Sequence, residues 1–148
     1  MSLTNTIGAV LDAKTRKVWA VSPETSVYDA LCLMANEDIG AVLVMAGDRL
    51  HGVLSERDYA RKVILTGKSS RETQVSEIMS EAGVVGRTTT VDECMREMTG
   101  SRMRHVVVVD NDRVIGVVSI GDLVNWVIST QEQTINNLHA YVAGSYPG

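Results

Sequence analysis

Apolar and polar positions along this chain follow one order of local patterns twice. In each copy a hydroxyl residue, Ser26 or Thr90, stands three positions before an acidic residue, a spacing that is typical of the first turn of an α-helix. Apolar side chains then recur at helical spacing, as Val27, Ala30, Leu31 and Met34 in the first copy and as Val91, Cys94, Met95 and Met98 in the second. The pattern predicts one amphipathic helix per copy that buries a single apolar stripe.

Two short apolar runs follow each predicted helix, with a turn between them. The first runs are residues 41–45 and 106–109, the turns are 46–49 and 110–113, and the second runs are 50–54 and 114–118. Continuous apolar runs of this length are typical of strands that are covered on both faces, so each copy is predicted to contain a β-hairpin. Short strands are also predicted at residues 18–21 and 84–85, and further helices from Ser55 and Ser119.

The two copies are related by a shift of 64 residues, which aligns Val27 with Val91. Residues 25–59 match residues 89–123 without a gap, and the identical pairs are Thr25/Thr89, Val27/Val91, Met34/Met98, Val42/Val106, Val44/Val108, Asp48/Asp112, Arg49/Arg113, Gly52/Gly116, Val53/Val117, Ser55/Ser119 and Asp58/Asp122. Such a duplication indicates one structural unit used twice. Because each copy is too small to bury a good core alone, we expect an α+β fold of tandem β-α-β-β-α repeats packed about a pseudo-twofold axis.

Composition narrows the class of protein without naming a chemistry. The net charge of −4 argues against general nucleic-acid binding, which usually needs a basic surface. No apolar run approaches the roughly 20 residues that cross a bilayer, and the N-terminal residues do not resemble a signal peptide, so we expect a cytoplasmic protein with no membrane partner. Cys32 and Cys94 fall within predicted helices and are expected to be reduced, and the histidines are too scattered to predict a metal site.

Each hairpin ends in the pattern Gly-apolar-apolar-Ser-x-x-Asp, at residues 52–58 and 116–122. A helix start offers backbone N–H groups and a positive dipole end to a phosphate, a serine hydroxyl adds a hydrogen bond, and an aspartate accepts from ribose hydroxyls. Ser55, Asp58, Ser119 and Asp122 are therefore candidate nucleotide ligands. The same spacing also predicts a capping box, in which these side chains only satisfy the helix start, and the residues alone leave both interpretations open.

The tandem pattern resembles a cystathionine β-synthase (CBS) domain pair, also called a Bateman module. Besides the two corner segments, the resemblance rests on the motifs Val-Ser-Pro at 21–23, Ile-Gly-Ala-Val at 39–42, Val-Ser-Glu-Ile-Met at 75–79 and Arg-His-Val-Val-Val-Val-Asp at 104–110. It implies one CBS pair over residues 1–148. Its parts are a first CBS motif at 7–66, a polar linker at 67–74, a second CBS motif at 75–128, and a C-terminal helix and tail at 129–148.

The resemblance implies a cleft between the two units with two related sites for AMP, ADP, ATP, NAD or S-adenosylmethionine, and no catalytic cofactor. By position, Ser55 and Ser119 meet phosphate or ribose oxygens, while Asp58 and Asp122 hold ribose hydroxyls. The other site residues that it implies are Trp19 beside the base, Ile39, Gly40 and Ala41 at one site, and Arg104 and His105 at the other, where the alternative for His105 is a satisfied interior residue. Arg57 adds a cation near the first phosphate position, where the second copy has Gly121, so the two sites are expected to be unequal unless Arg57 is only a solvated surface residue. A histidine in this place also predicts an affinity that depends on pH near neutrality.

The leading functional hypothesis is a stand-alone adenine-nucleotide sensor that forms a homodimer and acts on a separate target protein. An enzyme is not expected, because the sequence has no P-loop and no serine or cysteine with a histidine placed to activate it. The alternative is a ligand-independent dimerisation or protein-interaction module with vestigial nucleotide sites. Residues 124–143 are predicted to continue as a helix with apolar contacts at Trp126, Val127, Ile135, Leu138 and Val142. Of these, Leu138 and Val142 cover the core or form a dimer face.

Overall fold

The computed structural model describes residues 5–14 and 17–142, and their side chains as far as residue 131. In chain order the elements are α1 (Ile7–Ala13), β1 (Ala20–Val21), α2 (Val27–Glu37), β2 (Ala41–Ala46), β3 (Arg49–Ser55), α3 (Glu56–Tyr59), a π-helical turn (Ala60–Ile64), α4 (Val75–Ile78), β4 (Gly83–Gly86), α5 (Val91–Ser101), β5 (His105–Asp110), β6 (Arg113–Ser119) and α6 (Ile120–Val142). The predicted α+β fold of tandem repeats is confirmed.

Each copy contains a three-stranded sheet of the same topology. The first strand runs parallel to the second, which pairs antiparallel with the third, in the orders β1-β2-β3 and β4-β5-β6. Even the irregularity of the hairpin is repeated, because the register shifts between Val44 and Met45 and again between Val108 and Val109. The predicted hairpins are therefore confirmed. The strand predicted at 18–21 is shorter than expected, whereas the one predicted at 84–85 is longer.

The helices that follow β1 and β4 begin where their caps predict. The Ser26 hydroxyl accepts from the backbone N–H of Asp29 at 3.0 Å, and the Thr90 hydroxyl accepts from that of Glu93 at 3.1 Å. Hydrogen bonds from the Thr90 side chain and backbone hold the pKa of the Glu93 carboxyl below its ordinary value. Both helices end at an equivalent residue in the left-handed region, Asp38 at φ 55° and Arg102 at φ 56°. Local sequence thus sets both ends of each helix.

The short helices α1 and α4 are exchanged between the copies. Helix α1 precedes the first copy in the chain, yet its side chains complete the core of the second, and α4 precedes the second copy but completes the core of the first. The second-copy core contains Ile7, Val10 and Leu11 with Val85, Val91, Cys94, Met98, Val106, Val108, Val118 and Leu123. The first-copy core contains Val75 and Ile78 with Val27, Ala30, Met34, Val42, Val44, Leu54 and Val63.

Backbone hydrogen bonds fix this exchange in the same way on both sides. The N–H of Val91 donates to the carbonyl of Asn5, and the N–H of Val27 donates to that of Thr73, each at 2.8 Å. In return the N–H groups of Ile7 and Val75 donate at 2.8 Å to carbonyls that lie just before α5 and α2. Each exchanged helix is therefore locked to the start of the long helix of the other copy.

The outer faces of the two sheets meet at a third apolar cluster centred on Leu43, Val53 and Val107. Leu43 and Val107 are equivalent residues of the two copies, so this contact lies on the pseudo-twofold axis. Their neighbours along the strands, such as Val42 and Val106, point the other way into the core of their own copy. Strands β2 and β5 are thus covered on both faces, as their continuous apolar runs predicted.

Helix α6 extends the second copy beyond the sheet. Trp126 and Val127 pack against the second-copy core, as predicted, whereas the side chains of Ile135, Leu138 and Val142 and the whole of Ala143 lie outside the described residues. Within the described part of the chain, no helix combines the length and apolar character needed to cross a bilayer.

The thiol of Cys94 is buried in α5, and this burial raises its pKa to about 11.

Two equivalent glycines leave room for α1 and for the segment that follows α4. A Cβ atom at Gly52 would lie 2.7 Å from the carbonyl oxygen of Ser80, and one at Gly116 would overlap the Leu11 side chain. The Ser80 carbonyl cannot move away easily, because it accepts from the N–H of Val53 at 3.0 Å. The exchange of helices therefore explains why glycine stands at this position in both copies.

Replacing Gly52 by alanine is expected to destabilise the protein. The added methyl group must displace a hydrogen-bonded backbone segment, and such overpacking costs about 1–3 kcal/mol in the free energy of unfolding. Chemical denaturation of Gly52→Ala beside Gly100→Ala measures the effect. Gly100 is exposed in α5 with open space around it, so its alanine variant is expected to be unchanged or more stable by up to about 1 kcal/mol. Equal denaturation midpoints for Gly52→Ala and the unmodified protein would contradict the prediction.

Candidate functional site

The two Gly-apolar-apolar-Ser-x-x-Asp corners both form capping boxes. Asp58 accepts through its carboxylate from the N–H of Ser55 at 3.0 Å, and its own N–H donates to the serine hydroxyl at 3.1 Å. The second corner repeats this, with Ser119 N–H to Asp122 at 2.8 Å and Asp122 N–H to the Ser119 hydroxyl at 3.0 Å. The capping interpretation of both corners is therefore confirmed, and a ligand would have to bind to side chains that already cap a helix.

Each corner is also tied to the entry of the preceding strand. The N–H of Glu56 donates to the carbonyl of Gly40 at 3.1 Å, and the N–H of Ile120 donates to that of Arg104 at 2.8 Å. With the first and third amides of each helix engaged, fewer N–H donors face solvent than a helix start usually offers. Any phosphate site here depends on side-chain cations more than on the helix start.

Two clefts lie between the copies, and each joins the corner of one copy to the strand entry of the other. The first cleft has a volume of about 320 Å³ and is lined by Lys14, Lys17, Trp19, Asp38, Ile39, Gly40, Ala41, His105, Val117, Ser119 and Asp122. The second has a volume of about 690 Å³ and is lined by Gly40, Val53, Ser55, Glu56, Arg57, Asp58, Arg61, Lys62, Ser80, Glu81, Ser101, Arg102, Met103, Arg104 and His105. The duplicated fold thus forms a pair of related clefts with different linings.

Asp122 in the first cleft is paired with Lys14, which arrives from the end of the exchanged helix α1. The lysine Nζ lies 2.7 Å from Oδ2 of Asp122 and donates at 3.0 Å to the carbonyl of Val117. Burial tends to raise the pKa of Asp122, but hydrogen bonds from Lys14 and the Ser119 amide outweigh it and hold the pKa below its ordinary value. The carboxylate is ionised at neutral pH, and 29% of the side chain remains exposed to the cleft.

Asp58 in the second cleft is enclosed. Only 11% of its side chain is exposed, and both oxygens are engaged. Oδ2 accepts from the amide and hydroxyl of Ser55, and Oδ1 accepts from the hydroxyl of Ser80 at 2.6 Å and lies 3.3 Å from Nζ of Lys62. A ribose hydroxyl would have to displace one of these partners.

His105 and Gly40 line both clefts and form part of the wall between them. Burial lowers the pKa of His105 below its ordinary value. The negative charges of Asp122 and Asp58 oppose this shift, whereas the positive charges of Lys14 and Arg104 reinforce it. Gly40 lies close to the first corner, since a Cβ atom there would lie 3.2 Å from the Glu56 carboxylate. The imidazole is therefore neutral at pH 7, with charged groups of both clefts around it.

The sequence predictions include residues of both clefts. All the predicted site residues line at least one cleft except Gly121, which is exposed on α6 and lines neither of the two clefts. Gly40 and Ala41 line the first cleft and Arg104 and His105 line the second, and Gly40 and His105 each line the other cleft as well. Among the described residues no cluster of His, Cys, Asp or Glu side chains has a metal-site arrangement.

Several charged residues of the clefts were missed. Lys62 follows Asp58 by one helical turn, so its spacing was a usable signal. Lys14 is separated from Asp122 by 108 residues, and no local pattern links them. The remaining missed residues, including Lys17, Arg61, Ser80 and Arg102, reach the clefts from segments that the repeat comparison does not relate to the corners.

Replacing Lys14 by methionine is expected to raise the pKa of Asp122. Burial raises this pKa, and the variant lacks the lysine hydrogen bond that lowers it. The folded-state pKa of Asp122 lies below its ordinary value of 3.8. Its contribution to stability is therefore complete above that value and is lost as the pH falls through the folded pKa. At pH 7 we expect Lys14→Met to lower the free energy of unfolding by about 1 kcal/mol or less, and the difference to vanish in strong acid.

Arg96→Met is the matched control for this prediction. Arg96 pairs with Asp92 at 2.9 Å on the exposed face of α5, where solvent screens the pair. NMR titration of the aspartate carbons gives the pKa, and denaturation at pH 7 and at acid pH gives the stabilities. A Lys14→Met protein with the same Asp122 pKa as the unmodified protein would show that the ion pair is not formed in solution.

Comparisons with known proteins agree with the duplicated fold. The CBS domain family matches the chain twice, at residues 10–65 and 75–129. The mitochondrial CBS domain-containing protein CBSX3 of Arabidopsis thaliana is 37% identical over 97% of this chain and 74% of its own length. The CBS domain-containing protein YhcV of Bacillus subtilis is 31% identical over 79% of this chain and 84% of its own.

A solved structure shares the arrangement as well. A protein with CBS domains from Burkholderia ambifaria is 46% identical and superposes with a TM-score of 0.82, over 86% of this chain and 96% of that chain. Two matched segments, the order of helices and strands in each and this superposition all lead to one assignment. The chain belongs to the CBS domain family and consists of a pair of CBS domains.

Proposed function

We propose that this CBS pair is a regulatory module that senses an adenine nucleotide, which binds in the first cleft. The observation that carries the proposal is the set of groups that line this cleft together. An aromatic and aliphatic wall, formed by Trp19, Ile39 and Ala41, faces an ionised carboxylate at Asp122 and two lysines. An adenine base, a ribose and a phosphate require these three kinds of partner.

Each part of the ligand has a partner in the first cleft. The base stacks on Trp19, whose ring already carries the Lys17 ammonium 4.9 Å from its centroid, and the ribose hydroxyls donate to Asp122. The phosphate pairs with Lys14 and Lys17. Since the cleft is lined by two lysines and two carboxylates, a ligand with a single phosphate, such as AMP, fits its charge better than a longer phosphate chain does.

The second cleft favours a ligand with more phosphates. Five cations and three carboxylates line it, and its volume is about twice that of the first. Its enclosed Asp58 offers little to a ribose, whereas Arg57 and Arg102 carry planar donors that suit phosphate oxygens. We therefore assign ADP or ATP to this cleft. NAD remains a candidate for either cleft, and the cationic S-adenosylmethionine is disfavoured in the second.

Ligand binding between the copies supports a sensing role. A nucleotide that contacts both copies shifts their relative orientation by as much as its affinity differs between the two arrangements. We propose that the module carries out no reaction of its own, that it forms a homodimer, and that it passes the change to a separate protein. The Arabidopsis relative is described as mitochondrial, so a cytoplasmic location stays a prediction for this chain.

Binding of AMP, ADP, ATP, NAD and S-adenosylmethionine, measured by isothermal titration calorimetry, tests the proposal. We expect AMP to bind, and Asp122→Ala to weaken it by about tenfold or more, because a hydrogen bond to a charged group contributes about 1.5–3 kcal/mol. Asp48→Ala is the control, since Asp48 is exposed at the hairpin turn and lines neither cleft. If none of the five ligands binds at millimolar concentration, the ligand-independent interaction module becomes the better explanation.

Replacing Arg57 by glutamine tests the assignment of the second cleft. The change removes one phosphate partner and leaves the first cleft intact, so ATP affinity is expected to fall by about threefold to tenfold while AMP affinity stays the same. Arg49→Gln provides the control, since Arg49 is exposed and lines neither cleft. An equal loss for ATP and AMP would contradict the division of ligands between the clefts.

A further inference from the structure

Among the described residues that line the clefts, His105 is the only titratable residue that lines both of them. It is the first residue of β5, it pairs with Ser119 of β6, and its side chain lines both clefts. The equivalent residue of the first copy is Ala41, which cannot bind a proton. The wall between the two clefts therefore carries a single titratable group.

The charged groups around His105 come in equal number from each side. Asp122 and Lys14 belong to the first cleft, and Asp58 and Arg104 belong to the second. Within each pair one charge favours the imidazolium and the other opposes it. The other charged residues of the same linings are Lys17 and Asp38 in the first cleft and Glu56, Arg57, Arg61, Lys62, Glu81 and Arg102 in the second. Burial has the largest effect on His105 and lowers its pKa, so the histidine is neutral at pH 7.

We propose that His105 couples the two clefts, because an anionic ligand in either cleft favours its protonated form, which in turn strengthens the binding of an anion in the other. The inference rests on the proposed function in one respect only, namely that the ligands are anions. A phosphate added on one side upsets the balance of charge, and the imidazole takes up a proton in response.

The direction of the effect follows from linkage. Binding raises the pKa of His105, so the gain in affinity for an anion begins as the pH falls through the raised pKa of the ligand-bound histidine and is complete below the pKa of the ligand-free one. Once the first anion has drawn the proton, the second binds beside a cation, and the two affinities rise by the same factor. Well above the pKa of the ligand-bound histidine, the imidazole stays neutral in every state, and only the mutual repulsion of the two anions remains.

The ligand-free protein provides a test that needs no nucleotide. The pKa of His105 is measured by NMR from the Hε1 signal, with exposed His51, which lines neither cleft, as the internal control. Asp122→Asn is expected to lower the pKa of His105, and Arg104→Gln to raise it, each by about half a unit or more, with His51 unchanged. Lys14→Met, expected to raise it, replaces Asp122→Asn if that variant does not fold. A histidine that responds to charges of only one cleft overturns the proposal.

Proton uptake on binding is the second test. Titration of AMP at pH 7, repeated in buffers of different ionisation enthalpy, gives the number of protons taken up. The phosphate of AMP itself titrates at about pH 6. The decisive quantity is therefore the difference in proton uptake between the unmodified protein and His105→Gln. We expect a larger uptake in the unmodified protein, by at most about one proton, and an unchanged uptake in the control His51→Gln.

The outcomes separate this inference from the proposed function. If AMP binds but neither the uptake nor the pKa of His105 differs, the coupling is wrong and the nucleotide site stands. If no nucleotide binds, the proposed function fails, and inorganic pyrophosphate takes the place of AMP as a probe anion. A pKa of His105 that pyrophosphate also leaves unchanged overturns the coupling.

Discussion

The exchange of α1 and α4 between the copies is the constraint on which the rest of the structure depends. Neither copy completes its core without the helix that precedes the other, so the copies cannot separate without exposing residues such as Ile7, Leu11 and Ile78. The exchange fixes how the outer faces of the sheets meet at Leu43 and Val107, and this contact sets the two clefts beside it. Lys14 reaches Asp122 for the same reason, since it lies at the end of an exchanged helix.

Duplication repeated the backbone but not the chemistry. The corners, the bulges and the helix ends recur at equivalent residues, because each depends on local hydrogen bonds that the repeated sequence preserves. The clefts differ where the copies have diverged at the surface, as at Gly40 and Arg104 or at Ala41 and His105. A charge at the wall of a cleft leaves the core unchanged, and so the linings of the two clefts can differ while the fold stays the same.

Local periodicity was enough to predict the long helices and the hairpins, since these elements depend on caps, turns and apolar runs that are close in sequence, and the duplication predicted the pairing of the copies. It could not predict α1 or its exchange. Residues 5–14 precede the part of the chain that the 64-residue shift aligns, and their partners, such as Thr89 and Val91, are distant in sequence. The candidate site residues also divide into those that local sequence predicts and those that only the tertiary fold brings together. The corner residues were found from their repeated spacing, whereas Lys14 and Ser80 were missed because only the tertiary fold brings them there.

The two aspartates show why one motif does not define one site. Asp58 and Asp122 stand in the same local sequence and cap their helices alike, yet the segments before the two copies differ. After α4 the chain places the Ser80 hydroxyl 2.6 Å from Asp58, whereas after α1 it places the flexible side chain of Lys14 against Asp122. A ribose at Asp58 must break a short hydrogen bond to a carboxylate, worth about 1.5–3 kcal/mol, in an enclosed place. Under the proposed function, a ribose at Asp122 displaces only the side chain of Lys14, which then pairs with the phosphate, so we expect the first cleft to accept a nucleoside at lower cost.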